Sequence, residues 1–330
     1  TLSVKNSGEL ILQSGVTIND SSLNFTSSTF KPSGTVSLTD NGSLNLNETS
    51  SVILEGDTIL SQSGTAYWPS IDLNGNALTL DNVTDMFCCL FQTGGLVIRT
   101  GESIKLGTSN FSVDNSTKIN SGGTLSSGSG ALTINGALTL DGELRQGGGT
   151  LNLIGGGTVG STGRLDVSHS ELKVGSAQTD NDTLSFAGTL VVDNGTSWSG
   201  LDGTVDLSAG TLESSGGTLD LDQFITGANT AFKLSGNTEI TSSDNMTFGT
   251  LDLGGNRLTL GEGILGLTLP NTLTMDNVSS AIKTQNVNLT LGQALSLTSG
   301  SITSTGGTLR FTGGLTLGTA GALDVTGSTL

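Results

Sequence analysis

Cysteine is almost missing from this chain: Cys88 and Cys89, side by side, are the only two in 330 residues. That excludes the disulfide-dense scaffold of small secreted folds. It does not argue against an extracellular home, because long repeat proteins hold together by stacking. Basic residues are few: 12 Lys and Arg against 29 Asp and Glu, for a net charge of −17. Nucleic acid and anionic membrane surfaces are therefore disfavoured as partners. No run of about 18 apolar residues occurs, so no transmembrane helix is expected. No stretch sustains apolar spacing at i, i+3, i+4 and i+7, so long helices are not expected either. Aromatics make up 4% and there is a single histidine, His169. Tyr67, Trp68 and Trp198 are the only Tyr and Trp residues available as sugar platforms.

Glycine is plentiful at 50 residues, with Ser, Thr and Asn also abundant and only 3 Pro. Such a composition also occurs in disordered chains. Here, however, 34% of residues are apolar and they alternate with polar ones. Units such as GELIL at Gly8, TVSL at Thr35 and SLNL at Ser43 read as short strands with one buried face. The Gly, Asn, Asp and Ser between them read as tight turns.

Two long internal repeats organise the chain. Residues 148–172 (GGTLNLIGGGTVGSTGRLDVSHSEL) align without a gap on 306–330 (GGTLRFTGGLTLGTAGALDVTGSTL), with 14 of 25 positions identical. Residues 51–80 align on 231–260 at a constant offset of 180, matching Leu54, Gly56, Asp72, Gly75, Asn76 and Leu80 in register. Trp68 is matched by Phe248. Length alone suggests about two globular domains, but repeats of this kind form one elongated body. Strand cores recur every six to eight residues and similar ones return after about 20. The expected fold is all-β: a right-handed parallel β-helix (β-solenoid) of roughly 16 coils, continuous over 1–330. Antiparallel hairpins are the rival arrangement, and would favour longer strands joined by two-residue turns. One segment breaks the pattern. Residues 83–96 (VTDMFCCLFQTGGL) carry an apolar run at 86–91, read as a short helix capped by Thr84 or Asp85 and bulging from the coil. A polar loop is expected at 178–182.

Candidate sites are few. Cys88 and Cys89 fit either a strained or reactive vicinal pair or small buried hydrophobes. His169 sits where Gly327 sits in the twin copy, in a turn or on an outward face, and with no second histidine a metal site is not expected. Asp202, Asp206, Asp220 and Asp222 form the strongest acidic cluster, a weak candidate for carbohydrate chemistry, which needs two carboxylates about 5–10 Å apart. No Arg, Lys or His stands beside them, and a solvated outer ladder is the favoured account of them. Met86, Phe87, Phe91, Tyr67 and Trp68 are a possible apolar contact for a partner. Outward Thr79, Thr139, Thr259 and Thr316 in LTL units suit exposed strands or a flat threonine array. GGxGxD calcium-roll repeats are missing, and the GGG runs lack the Lys-Ser/Thr and helix of a phosphate loop. Twelve Asn-x-Ser/Thr sequons occur, Asn24, Asn47 and Asn288 among them. No cofactor or catalytic residue is expected.

The GTLxL, GxxTL and GRLDV units resemble the parallel β-helical shafts of bacterial surface adhesins, both filamentous-haemagglutinin-like proteins and autotransporter passengers. The chain opens and stops in mid-pattern and carries neither an NPNL-type secretion motif nor a membrane barrel. It is therefore expected to be an interior piece of shaft. The resemblance implies export to the cell surface or medium and a non-enzymatic role in adhesion or fibre building. Head-to-tail self-association and a host receptor or glycan are the expected partners. A β-helical polysaccharide-binding or polysaccharide-cleaving protein is the alternative.

Overall fold

The computed structural model describes residues 2–39, 42–88, 95–175, 183–193, 195–198, 204–261 and 263–330; at 63–67, 82, 84–85, 87–88 and 198 it describes the backbone alone. The described residues hold strands and turns and no helix. Every strand pairing among them is parallel. The protein is a parallel β-solenoid of about 14 turns, with stacked coils about 21 residues apart. Sixteen coils of 20 residues overshoots because some coils are longer. Val36 pairs with Leu60, Leu78 with Ile104, and Arg164 with Thr189, advances of 24, 26 and 25 residues. The rival antiparallel hairpins are not formed among the described residues.

Each coil visits three faces in turn. Strands such as Asn110–Val113, Leu132–Ile134, Thr150–Leu153 and Glu171–Val174 stack as the first face. Leu96–Ile98, Thr117–Ile119, Leu138–Leu140 and Gly157–Val159 stack as the second. Ser103–Lys105, Thr124–Ser127, Glu143–Gln146 and Arg164–Asp166 stack as the third. Alternation decides what enters the middle. In Leu138–Leu140 the two leucines are 1% and 0% exposed, whereas Thr139 between them faces outward. One hydrophobic cluster runs from Ile18 to Leu309. A coil cannot cover its own apolar edge, so each leucine is buried by the coils above and below it. Each contributes roughly 1.5–3 kcal/mol relative to exposure.

The long repeats do not sit above themselves. Strand Thr150–Leu153 is on the first face, but its sequence twin Leu309–Phe311 stacks on Asn288–Leu291, on the second. Ser51–Ile53 is on the second face, and its twin at offset 180, Ala231–Leu234, is on the third. In both repeats the copies are displaced by one face. Trp68 and Phe248 accordingly fill the same kind of core position, 2% and 0% exposed, on different faces.

Residues 83–88 form no helix. Ala77–Cys88 is one strand that starts on the third face and turns onto the first, with register shifts between Asp81, Val83 and Asp85. Val83 and Met86 are buried there, on either side of the second register shift. Residues 89–94 and the polar stretch 178–182 lie outside the described residues.

The third face opens once. Thr272–Thr274 pairs below with Thr250–Asp252, but among the described residues no pairing joins it to 295–297 above. The corner is drawn downward. Asn271 and Thr272 both donate their backbone N–H to Gly249 O (3.2 Å each), and the Asn271 amide reaches Ala228 O two coils below (3.0 Å). The resulting cleft of about 400 Å³ has Leu269, Leu273, Leu291 and Leu295 in its lining.

The core's dependence on neighbours makes single substitutions costly. Leu165 and Leu258 are both 0% exposed. Leu165→Asp and Leu258→Asp should each unfold several coils and cost more than about 4 kcal/mol, since a buried carboxylate without a partner is the most expensive single change. An unchanged melting temperature for both variants would contradict the stacked-coil core.

Candidate functional site

The acidic cluster chosen from sequence is divided: Asp220 and Asp222 share one turn, and Asp206 lies on another face. Asp206 closes strand Thr204–Asp206 on the second face and pairs in register with Ile225; Asp220 closes Gly217–Asp220 on the first and pairs with Thr241. Both carboxylates build turns. Asp206 Oδ1 accepts the Ser208 N–H (2.9 Å), and Asp220 Oδ1 accepts the Asp222 N–H (3.1 Å). Asp222 Oδ1 in turn accepts the Ser243 N–H (2.5 Å) and hydroxyl (3.1 Å). The Ser243 N–H, foremost, holds the Asp222 carboxyl below its ordinary value. Asp202 lies outside the described residues. The device recurs: Asp72, Asp166 and Asp252 each accept the N–H two residues on, at 3.0–3.1 Å. An Asp after an inward apolar residue at a strand end is thus a turn-former here, and its sequence signal is the ΦDΦ pattern itself.

The apolar contact is dismantled in part. Met86 and Trp68 are 1% and 2% exposed, members of the core, and cannot meet a partner. Tyr67 and Phe87 pair in register, but their side chains lie outside the described set, as does all of Phe91. Cys89 is outside as well, and Cys88 is placed by its backbone alone. The glycine run at 147–149 serves a buried amide. Gln146 is 1% exposed and its Nε2 donates to the carbonyls of Gly128 (3.1 Å), Gly130 (2.7 Å) and Gly148. Gly149 has φ +72° and a Cβ there would stand 2.4 Å from Ser129 O, so no other residue closes this corner.

Sequence reasoning missed two buried carboxylates that fasten one coil's turn to the next. Glu102, 2% exposed, accepts N–H bonds from Arg99 (2.7 Å) and from Gly75 in the coil below (2.9 Å). Arg99 also bonds Asp72 (2.7 Å) and Glu102 (3.1 Å), which hold its guanidinium still more firmly protonated. Asp193, 5% exposed, accepts N–H bonds from His169 in the coil below (2.8 Å) and from Gly195 (2.9 Å), and the Thr196 hydroxyl (3.1 Å). The His169 ring places Nδ1 2.6 Å from Asp193 Oδ2. His169 is therefore part of a turn with φ +58°. Among the described residues no group of three His, Cys, Asp or Glu is placed to hold a metal ion.

Along the third face no two like charges among the described residues are stacked directly on one another. On the third face the register runs Arg145, Asp166, Val191, Glu213, Lys233, Asp252, with Glu143 below Arg164 alongside. In-register stacking places such neighbours about 4.8 Å apart, where like charges repel. Arg164 reaches over Thr189 to Glu213 two coils up (3.0 Å). Exposed pairs of this kind add little stability, but they penalise a slipped register.

One open groove, of about 650 Å³, is not used by the fold. It lies on the first face across Thr238–Thr241, Arg257–Leu260, Ala281–Gln285 and the end of Leu295–Thr305, where Thr303 and Thr305 line it. Glu239, Thr259 and Lys283 are in register along it. Gly261 supplies no side chain at the neighbouring position: a Cβ there would stand 2.8 Å from Glu239 Oε1 and 2.9 Å from Thr241 Cγ2.

Comparison of the chain with protein-family models, curated proteins and solved structures finds no match. The likeness to adhesin shafts therefore remains one of repeat style.

Asp193 gives the fold a defined pH dependence. Burial pushes its carboxyl up, but the His169 and Gly195 N–H groups, the Thr196 hydroxyl and the His169 charge outweigh it and leave it below the ordinary 3.8. A carboxyl lowered on folding stabilises the fold above its unfolded value, and that contribution fades as pH falls through the folded value. Asp193→Asn should therefore lower the melting temperature at neutral pH, with the gap from the parent closing below about pH 3.8. A gap that stays constant into strong acid would show that the carboxylate charge is not what fastens these turns.

Proposed function

We propose that this chain is a non-enzymatic structural protein, a rigid acidic rod that serves as an adhesin shaft or as a subunit of an extracellular filament. The observation that carries the reading is the single hydrophobic cluster threading the coils from Ile18 to Leu309. Bending such a body breaks backbone ladders and uncovers leucines at once, so its physical property is stiffness over length. About 14 turns at about 4.8 Å each make a body on the order of 70 Å long. The buried and turn-forming acids described above accept hydrogen bonds from the backbone and leave little free chemistry. The net charge of −17 keeps rods apart from one another and from anionic surfaces. Placement at the cell surface or in the medium rests on the repeat style shared with adhesin shafts.

Negative-stain electron microscopy over a concentration series separates the two forms of the proposal. Discrete rods of roughly 70 Å at all concentrations support a shaft segment. Uniform fibres that lengthen with concentration support a filament subunit. Round particles or irregular aggregates would contradict both.

A further inference from the structure

We propose that the opening in the third face is a one-way hinge, a level at which the rod bends toward that face by closing the cleft. Where strands are paired on all three faces, a bend parts ladders and uncovers leucines. Here one face is already parted. Among the described residues, Thr272–Thr274 pairs only with the strand below it and 295–297 only with the strand above, and no hydrogen bond joins 271–274 to 293–297. The other two faces cross the same level intact: Gly266–Leu269 with Asn288–Leu291 on the second, and Ala281–Gln285 with 301–305 on the first. Both corners of the opening are pinned, by the Gly292 N–H on Leu269 O (2.8 Å) and the Ser299 hydroxyl on Met275 O (3.0 Å). The two intact ladders are therefore the pivot. The second face also parts, between Phe224–Ile225 and Asn245–Thr247, but there the Thr247 N–H reaches across to the Thr226 hydroxyl (3.3 Å).

The closed arrangement is available to the sequence. Leu273 to Leu295 is an advance of 22 residues, within the 19 to 27 found between other partners, and both leucines are inward. Closure completes the ladder and covers Leu273, which is half-buried whereas Leu251 beneath it is 0% exposed. What holds the cleft open is the downward pull on the corner. That pull is slight: Gly249 O is shared by two N–H groups at 3.2 Å each, and the Asn271 amide adds one bond, to Ala228 O (3.0 Å). Two packings that differ by so few bonds exchange without a change of fold.

Pulsed electron double resonance on the full chain tests this, in a background with Cys88→Ser and Cys89→Ser. One pair of spin labels, at Lys233→Cys and Thr316→Cys, spans the opening on the third face. The control pair, at Thr218→Cys and Thr303→Cys, crosses the same level on the first face, four paired coils or about 19 Å apart. All four side chains face outward. The control should give one narrow distance. The third-face pair should give a longer principal distance and a smaller population at the control value, in which the cleft is closed. Asn271→Ala removes the amide tether and should enlarge that smaller population about fivefold, the shift expected from losing one hydrogen bond. If Asn271→Ala does not fold, the two parent distributions carry the test. The proposal fails if the third-face pair gives a single population as narrow as the control, if both pairs are equally broad, or if a folded Asn271→Ala leaves the distribution unchanged. A shaft and a filament subunit would carry the hinge alike, so the rod reading is tested separately by microscopy.

Discussion

Everything in this protein depends on the parallel backbone ladder that places each residue above the one about 21 positions earlier. The ladder satisfies the N–H and C=O groups of each strand and lets inward side chains touch their counterparts one coil away. It also means that no coil is stable alone. Leucines at 0% exposure such as Leu125, Leu144 and Leu165 are covered by one another along the third face. The corners are held by the same logic on a smaller scale. Glu102 and Asp193 each accept N–H groups from two successive turns, and Ser214, Thr284 and Ser304 stack their hydroxyls on neighbours inside the body.

The ladder does not require a coil to repeat its own sequence. Both long repeats are displaced by one face, so the interchangeable unit is the strand with its turn, about a third of a coil. A strand such as TLNL or TLRF needs only an inward apolar residue every second position and a turn at its end, and all three faces provide the same environment. Perfect repetition would stack identical charges about 4.8 Å apart. The order Arg145, Asp166, Val191, Glu213, Lys233, Asp252 avoids that on the third face, with Val191 separating the two acids.

The fold was legible in the sequence because alternation and glycine spacing are local properties. Alternation identified the inward residues Leu151, Leu165 and Leu172, and the turn residues marked most corners. What crosses coils was not legible. Setting Glu239 in line with Lys283 two coils on requires the length of every turn between them, and coils here vary from 19 residues, as between Thr124 and Glu143, to 27 between Gly157 and Leu184. A shift of one residue moves a side chain from outside to core. For the same reason Asp206 and Asp220 looked like neighbours and are on different faces. The run at 86–91 suggested a helix by its apolar density, whereas the strand pairing of Ala77–Cys88 with the coils on either side outweighs that local signal.

The register itself is open to a direct measurement. Lys118 and Thr139 are partners on the second face, and Thr158 is one coil further on. Adjacent partners about 4.8 Å apart fall within the Cα separation a disulfide accepts, and positions about 9.6 Å apart do not. In a background with Cys88→Ser and Cys89→Ser, oxidation of Lys118→Cys with Thr139→Cys should give a quantitative disulfide. Lys118→Cys with Thr158→Cys should give none. Equal cross-linking of both pairs, or of the second alone, would contradict in-register stacking of the coils.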